Sequence, residues 1–535
     1  METQNRENRL PFEKKPGQKF GLVLGGGGSK GCYHVGVWQA FNEAGITFDA
    51  VTGTSIGALV GIFYPGNRIE TVTDFVMNMQ PGEIAQDLPV LPVTMKETVK
   101  GSKTILSFII RYFDSRMDIT PLREHFRSMF DYEIFAASPV RYACMTYCET
   151  KKEPRAFFKS EITPDNAEEI VMASSACYPA FPKVTIGEEV FMDGMYADNV
   201  PIDLLSSIQP DTDWVAVVDL HDPAEPKPPA LRDDMFYIEP LVNPGNALDF
   251  SRAHASRLYA QGYLETKKRL GQYSGYLYTF QHSDDAYIQL IEDYLMRQTA
   301  QMQVIFPKVD HLDSHVIRQA LGYQPGDLPT AHDPSYEFGR YVEGLALIAG
   351  IDPIALRSYP DFLRELVSRL KDKGTDTDSD EYKVVELLKK MKREESISFI
   401  HRQYVRHHGK LPEKTEALKE QFPVSFVLGW IWYCLDALIE ELDRIQKPQT
   451  DQENGEQDNT ENTSDPAQTD GEEEKEKPLM DAGTGLGGLL KAGTLAHMKH
   501  FIPAFHAAHH KDLPPLPADG TEPVKPEQPV GKKPA

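Results

Sequence analysis

Between Phe20 and Gly61 the spacing of hydrophobic positions switches back and forth between strand-like and helix-like. Gly21-Leu22-Val23-Leu24 is a continuous apolar run, which predicts a short strand buried on both faces of a parallel sheet. Gly25 to Gly28 follow, where a chain turns sharply and bares backbone N–H groups. From Tyr33 to Ala44 apolar residues recur at Val37, Phe41 and Ala44, and at Val35 and Trp38, which is helical spacing, and Gly45 stands at the expected C-cap. Ala50-Val51-Thr52 opens a second strand, and Gly53-Thr54-Ser55-Ile56-Gly57 turns straight into a second helix.

Downstream, helical spacing covers 68–79, 102–113 and 164–175, and a further helix opens at Thr120-Pro121 with Thr120 as N-cap and proline at N1. Strand patterns cover 140–147, 155–158, 189–192, 214–220 and 276–280. Strands alternating with helices predict a three-layer α/β/α domain over 18–283, after a polar N-terminal tail of 1–17. From Asp284 to about residue 445 the pattern is helical: 286–303, 316–321, 336–349, 353–373, 380–392 and 394–408. The most apolar segment, 423–439, is short for a membrane span and interrupted by Asp436, which favours a buried helix. Residues 446–480 are acidic and nearly free of apolar side chains, a composition that predicts a disordered linker. In 481–510 Leu486, Leu489, Leu490, Met498, Phe501, Ile502 and Phe505 recur at three- and four-residue spacing with Lys491 and Lys499 between them. That predicts an amphipathic helix free either to make peripheral membrane contact or to fold back on the helical half, ahead of a proline-rich tail over 511–535. His497, His500, His506, His509 and His510 lack the cysteine or carboxylate partners of a metal site.

Composition narrows the picture. Of 535 residues 41% are hydrophobic and 25% charged, ample for a sizeable core in more than one structural unit. The formal net charge of −24 argues against nucleic acid as partner. Five cysteines without a C-x-x-C read as reduced thiols, with Cys32 beside the glycine loop the one to watch for reactivity. The N-terminus carries no apolar core of a secretion signal, so a cytoplasmic protein is expected, meeting membranes from outside if at all. Nothing in the sequence sets an oligomeric state.

The candidate chemistry sits on two turns. Gly53-Thr54-Ser55-Ile56-Gly57 has the form G-x-S-x-G, in which a serine on a tight strand-to-helix turn exposes its hydroxyl above a sheet, with the following N–H aimed at an oxyanion. Asp193, between a predicted strand and Gly194, lies where open α/β sheets carry catalytic carboxylates, and Asp198 reads as a turn or capping residue. Two other readings compete. Gly26-x-Gly28-x-x-Gly31 fits a dinucleotide fingerprint with Asp49 roughly 20 residues on, but Asp49 precedes the second strand instead of ending it. A P-loop fails because Lys30 is followed by Gly31.

The first half of the chain resembles the patatin-like phospholipases, in particular their bacterial branch. Gly26-Gly27-Gly28-Ser29-Lys30-Gly31 and Gly53-Thr54-Ser55-Ile56-Gly57-Ala58 carry the resemblance, with Ala173 to Pro179 and the Asp193-Gly194 block through Asn199 and Pro201; Met195 departs from the usual small residue. The resemblance implies a serine acyl hydrolase cleaving lipid esters without metal or organic cofactor. Ser55 would be the nucleophile and Asp193 the base of a Ser–Asp dyad. The oxyanion would meet backbone N–H groups of Gly26, Gly27, Gly28 and Ile56. Lys30, Gly31, Gly53, Gly57 and Gly194 complete the motifs. Within hydrolases the runner-up is an α/β-hydrolase triad of Ser55, Asp193 and His221; under the dyad, His34 and His221 are ordinary polar residues. From other classes, the alternatives are a catalytically weak scaffold that binds lipid or protein, and a nucleotide-binding protein.

Overall fold

The computed structural model describes residues 14–78, 81–85, 117–221, 234–301, 337–372, 393–419 and 421–446. The helices expected at 102–113, 316–321 and 380–392 lie outside the described residues. So do the linker of 446–480 beyond Gln446, the amphipathic stretch with its histidines, the proline-rich tail and most of the N-terminal tail.

In chain order the elements begin β1 (Phe20–Leu24), α1 (Gly31–Glu43), β2 (Ala50–Thr54), α2 (Ile56–Gly61), α3 (Ile69–Asn78), α4 (Pro81–Ile84), α5 (Thr120–Met129) and α6 (Tyr132–Ala137). There follow β3 (Arg141–Cys148), β4 (Glu153–Phe158), α7 (Ala167–Ser174), β5 (Val184–Ile186), β6 (Glu189–Asp193), α8 (Ile202–Ile208), β7 (Trp214–Val218), β8 (Met235–Ile238) and α9 (Arg252–Arg269). The helical part adds β9 (Thr279–Phe280), α10 (Asp285–Gln301), α11 (Glu337–Ile348), β10 (Leu356–Arg357), α12 (Tyr359–Asp372), α13 (Arg393–Arg406), α14 (Glu413–Glu416) and α15 (Pro423–Gln446). By contacts Met1–Leu435 forms one compact unit, and Asp436–Ala535 a second, of which only the end of α15 is described.

One 8-stranded sheet runs β5-β6-β3-β2-β1-β7-β8, with β4 also paired to β3. The neighbours from β3 to β8 along that path are parallel, whereas β4 and β6 lie antiparallel to β3. Side-chain alternation builds the layers. Leu22, Leu24, Val51, Ala216 and Val218 face a core shared with Val37, Phe41 and Leu258 of the helices, while Val23, Ala50, Val215 and Val217 meet Leu205 of α8 on the other face. The three-layer α/β/α arrangement follows.

Helix α9 escapes the hydrophobic pattern because much of its buried face is polar: Gln261, Glu265 and Thr266 are all buried. It packs on α1 at a near backbone-to-backbone crossing. A Cβ on Gly36 would lie 2.1 Å from Tyr259 O, and one on Gly262 would lie 2.3 Å from Tyr33 O. Strands β5, β8 and β10 also went unread.

Three expectations are corrected. The run 276–280 is not a strand of the main sheet: only Thr279–Phe280 pairs, with Leu356–Arg357, because the N–H groups of Tyr276 and Tyr278 turn onto the Glu343 carboxylate at 2.9 Å each. The helix expected from 353 begins at Tyr359, since Leu356–Arg357 is used by that pairing and Asp284 Oδ2 accepts Tyr359 N–H at the helix start. Thr120 is not an N-cap but the first residue of α5; its N–H donates to Asp118 Oδ1 at 2.9 Å, and the N-cap position is Ile119. Helix α15 is long and apolar enough over Pro423–Glu440 to cross a membrane, yet 61% of that window is buried. Trp430, fully buried, donates from Nε1 to Thr299 Oγ1 at 3.0 Å, as in a core helix.

Candidate active site

The register of β3 explains how Ser55 and Asp193 meet. β4 pairs with residues 143–148 of β3 and so occupies one edge; β2 and β6 must share the other. On that edge Thr54, the last residue of β2, sits opposite Met145, and Asp193, the last of β6, sits opposite Thr146. The two strands run toward each other and end at consecutive positions of β3. Ser55 Oγ donates to Asp193 Oδ2 at 2.7 Å.

Ser55 is held in a conformation that side chains rarely adopt, φ 55° and ψ −124°. Three contacts impose it. Its N–H donates to Ser174 Oγ at 3.0 Å, and Ser174 Oγ in turn donates to Met145 O at 2.7 Å. Its carbonyl accepts Ala58 N–H and Leu59 N–H in the first turn of α2. Gly57 lets α2 press against β1, where a Cβ would stand 2.1 Å from Leu24 O. At Gly31, Gly53 and Gly194 a Cβ would meet Ile56, Gly57 and Met145 at 2.2, 2.3 and 2.3 Å, so these glycines bring the turns together.

Asp193 is fully buried. Its Oδ1 accepts Met195 N–H at 2.9 Å and its own N–H donates to Ala176 O at 3.0 Å. Burial pushes its carboxyl up to about 7, against the smaller downward pull of the Met195 N–H and the Ser55 hydroxyl. Asp198 has another position: its carbonyl accepts Thr54 Oγ1 at 2.8 Å and its carboxylate accepts Val200 N–H at 3.1 Å.

The glycine loop lies beside Ser55, since a Cβ on Gly26 would be 3.2 Å from Ser55 Cβ. Gly25 N–H donates to Val218 O at 2.9 Å and Gly26 N–H to Asn199 O at 3.0 Å. Gly26 therefore has no N–H left for an oxyanion, which corrects its place in the expected set. Among the described residues the N–H groups of Gly27, Gly28 and Ile56 have no backbone acceptor. Lys30 Nζ donates to Leu220 O at 3.1 Å, fastening the loop to the end of β7.

Sequence reasoning assigned no role to three residues that shape these turns: Ser174, Asn199 and His34. Ser174 and Asn199 stood in the quoted motif blocks, and their bonds to the two turns were invisible there. His34 bonds Gly25 O through Nε2 at 2.8 Å, and burial lowers its imidazole to about 4, so it is neutral. His221 lies 3.0 Å from Asp219 Oδ2 and 3.3 Å from Glu239 Oε2. Asp49 sits at the other end of β2, bonding Lys14 Nζ at 2.5 Å and Phe20 N–H at 2.9 Å, away from any ligand at the glycine loop. Cys32 is buried, which pushes its thiol up to about 12 and removes the reactivity suspected of it. All five cysteines are free. One surface cavity of about 630 Å³ among Phe135, Val140, Phe158 and Ile208 opens by the start of β3, and its lining does not include Ser55.

Residues 22–206 match the sequence pattern of the patatin-like phospholipases. This stretch is a patatin-like domain. The chain is 27% identical over 236 residues to lysophospholipase NTE1 of Pyricularia oryzae, covering 43% of this chain and 14% of the relative. It is 52% identical over 52 residues to patatin-like phospholipase domain-containing protein 6 of Homo sapiens, covering 10% of this chain and 4% of the relative. The chain thus spans less than a fifth of the length of the curated relatives it matches. Among solved structures, VipD from Legionella pneumophila aligns over 79% of this chain and 91% of its own, at 14% identity and a TM-score of 0.31.

Proposed function

We propose that the patatin-like domain is a serine acyl hydrolase that cleaves carboxylic esters of lipids through Ser55 and Asp193. The observation that carries this reading is the 2.7 Å bond from Ser55 Oγ to the buried Asp193 carboxylate. Asp193 takes the hydroxyl proton as Ser55 Oγ attacks the acyl carbonyl. The carbonyl oxygen becomes an oxyanion stabilised by the N–H groups of Gly27, Gly28 and Ile56. As the carbon–oxygen bond to the alcohol breaks, Asp193 returns the proton to the leaving oxygen, and an acyl-Ser55 ester remains. Water then attacks that ester, Asp193 accepting its proton and handing it back to Ser55 as the fatty acid leaves. A carboxyl poised near pH 7 suits both directions of transfer.

The similarity to the Pyricularia oryzae lysophospholipase supports monoacyl phospholipids as the first substrates to try. A triad through His221 is disfavoured by its engagement with Asp219 and Glu239. The deciding experiment pairs a fluorophosphonate probe with turnover of lysophospholipids, phospholipids and p-nitrophenyl esters. Labelling and turnover that both vanish in Ser55→Ala support the reading. A native chain that the probe ignores and that cleaves no ester removes it in favour of a binding scaffold.

A further inference from the structure

Among the described residues, three of the large hydrophobic side chains left exposed belong to the two short segments that flank Asp193: Tyr178, Met195 and Tyr196. Met195 is 48% exposed although its backbone N–H is bound to Asp193 Oδ1. The segment before it is tied to the same place, since Asp193 N–H donates to Ala176 O. Apolar surface therefore stands in water beside the one carboxylate that the Ser55 hydroxyl touches.

The patch is organised. Tyr196 Oη donates to Tyr178 O, joining the two segments. Cys177 Sγ lies 3.7 Å from Met195 Sδ. Burial, and secondarily the Asp193 charge, pushes that thiol up to about 11, so it stays a neutral weak donor to the thioether. At the edge, Lys183 Nζ sits 4.4 Å over the Tyr178 ring while bonding Glu149 at 2.6 Å, so its charge is already met. Two rings, a thioether and a thiol suit hydrocarbon. They offer little to the charged or hydroxylated arm of a lipid ester.

We infer that Met195, with Tyr178 and Tyr196, forms the acyl-chain contact of this site and sets a preference for long over short acyl esters. The inference rests on the ester-hydrolase reading. An ester whose carbonyl carbon lies at Ser55 Oγ has to lead one arm out past Asp193, and the acyl arm gains with each methylene laid on this wall. An acetyl group is too short to reach it. Met195, unbranched and flexible, follows chains of different shape.

The test measures kcat/KM for p-nitrophenyl acetate and decanoate, below the micellar range, in the native chain, Met195→Ala and Met195→Leu. The decanoate-to-acetate ratio is expected to fall about fivefold or more in Met195→Ala and to stay within about twofold in Met195→Leu. A ratio cancels any loss common to both substrates from disturbing Asp193. A second arm uses Ser55→Ala and measures dodecylphosphocholine binding by calorimetry, with and without Met195→Ala, expecting weaker binding by a similar factor. If the native chain hydrolyses the esters through Ser55 and the ratio is unchanged in Met195→Ala, the inference falls while the hydrolase reading stands. If no ester is hydrolysed, the hydrolase reading falls and the binding arm alone judges the wall; equal binding with and without Met195 overturns it.

Discussion

The α/β layers and the helical part that follows them both bury carboxylates, and they use them differently. In the helical part Glu343, fully buried, accepts the N–H groups of Tyr276, Leu277 and Tyr278. Glu292 accepts Phe338 N–H and Gly339 N–H at the start of α11, and Asp284 accepts Tyr359 N–H at the start of α12. Glu265 of α9 accepts Tyr33 Oη–H at 2.7 Å and Leu241 N–H, and the charges of Glu265 and Glu343 both act on Lys268, whose Nζ donates to Tyr276 O at 2.6 Å. Glu343, Glu292 and Asp284 meet backbone donors, and at Glu265 burial holds the Tyr33 phenol well above its ordinary range so that its proton stays; each of these acids acts as a strut. Asp193 receives one backbone N–H and one hydroxyl whose proton can be given up. What separates a strut from the reagent proposed at Asp193 is whether its donors can leave, since burial is common to both.

The comparison can be broken at several points. The largest effect is expected of Ser55→Ala, which should lower ester turnover by about 10⁴-fold with the thermal midpoint unmoved, because the side chain makes no packing contact on which the fold depends. Turnover near native would exclude Ser55. Asp193→Asn should cost on the order of 10³-fold. In the native chain kcat/KM should climb with pH to about 7 and then level, as Asp193 ionises. Its folded value lies above the roughly 3.9 of an unfolded aspartate, so the folded state holds the proton more tightly, and the contribution to stability is lost as pH rises through about 7. Asp193→Asn should therefore melt higher than native at pH 8, with the gap closing by about pH 4. Equal melting at both values would contradict the elevated carboxyl.

Glu343→Ala tests the strut. Leaving three backbone N–H groups without their anion should cost about 3 kcal/mol, read as a lower thermal midpoint, while Ser55 still reacts with a fluorophosphonate in the cold. Loss of labelling under conditions where the chain remains folded would mean that the two parts are not separable in this way. The smallest effect is expected of His221→Ala, less than about tenfold in turnover, since His221 is engaged with Asp219 and Glu239. A collapse of activity there would restore a histidine-dependent mechanism.

The sequence was most legible where one local rule decided the outcome. The apolar run of β1, the helical spacing of α1 and the strand-to-helix turn at Ser55 are all where the pattern put them. The 2.7 Å approach of Asp193 to Ser55 was legible only through a resemblance, because it depends on two strands meeting end to end along β3. The fate of Gly26 N–H was hidden for the same reason: its acceptor, Asn199 O, comes from a distant segment. Helix α9 was missed because Gln261, Gly262 and Glu265 line its buried side, and a hydrophobic pattern cannot announce a helix that buries a carboxylate. The misread run 276–280 failed likewise, its apolar residues turning onto Glu343 instead of a neighbouring strand.

The place of β7 separates the unit of inheritance from the unit of folding. The family match ends at residue 206, yet β1, which carries the glycine loop, has β7 along its whole length, Phe20 opposite Trp214 through Leu24 opposite Val218. Gly25 N–H and Lys30 Nζ are both anchored on carbonyls at the end of that strand and just beyond it. A piece cut at 206 would keep every motif and strip one side of its central strand, presenting an apolar, unpaired edge to other chains. The recognisable stretch is thus shorter than the smallest stretch able to stand alone, and a library of fragments selected for solubility should set its first surviving boundary beyond α9.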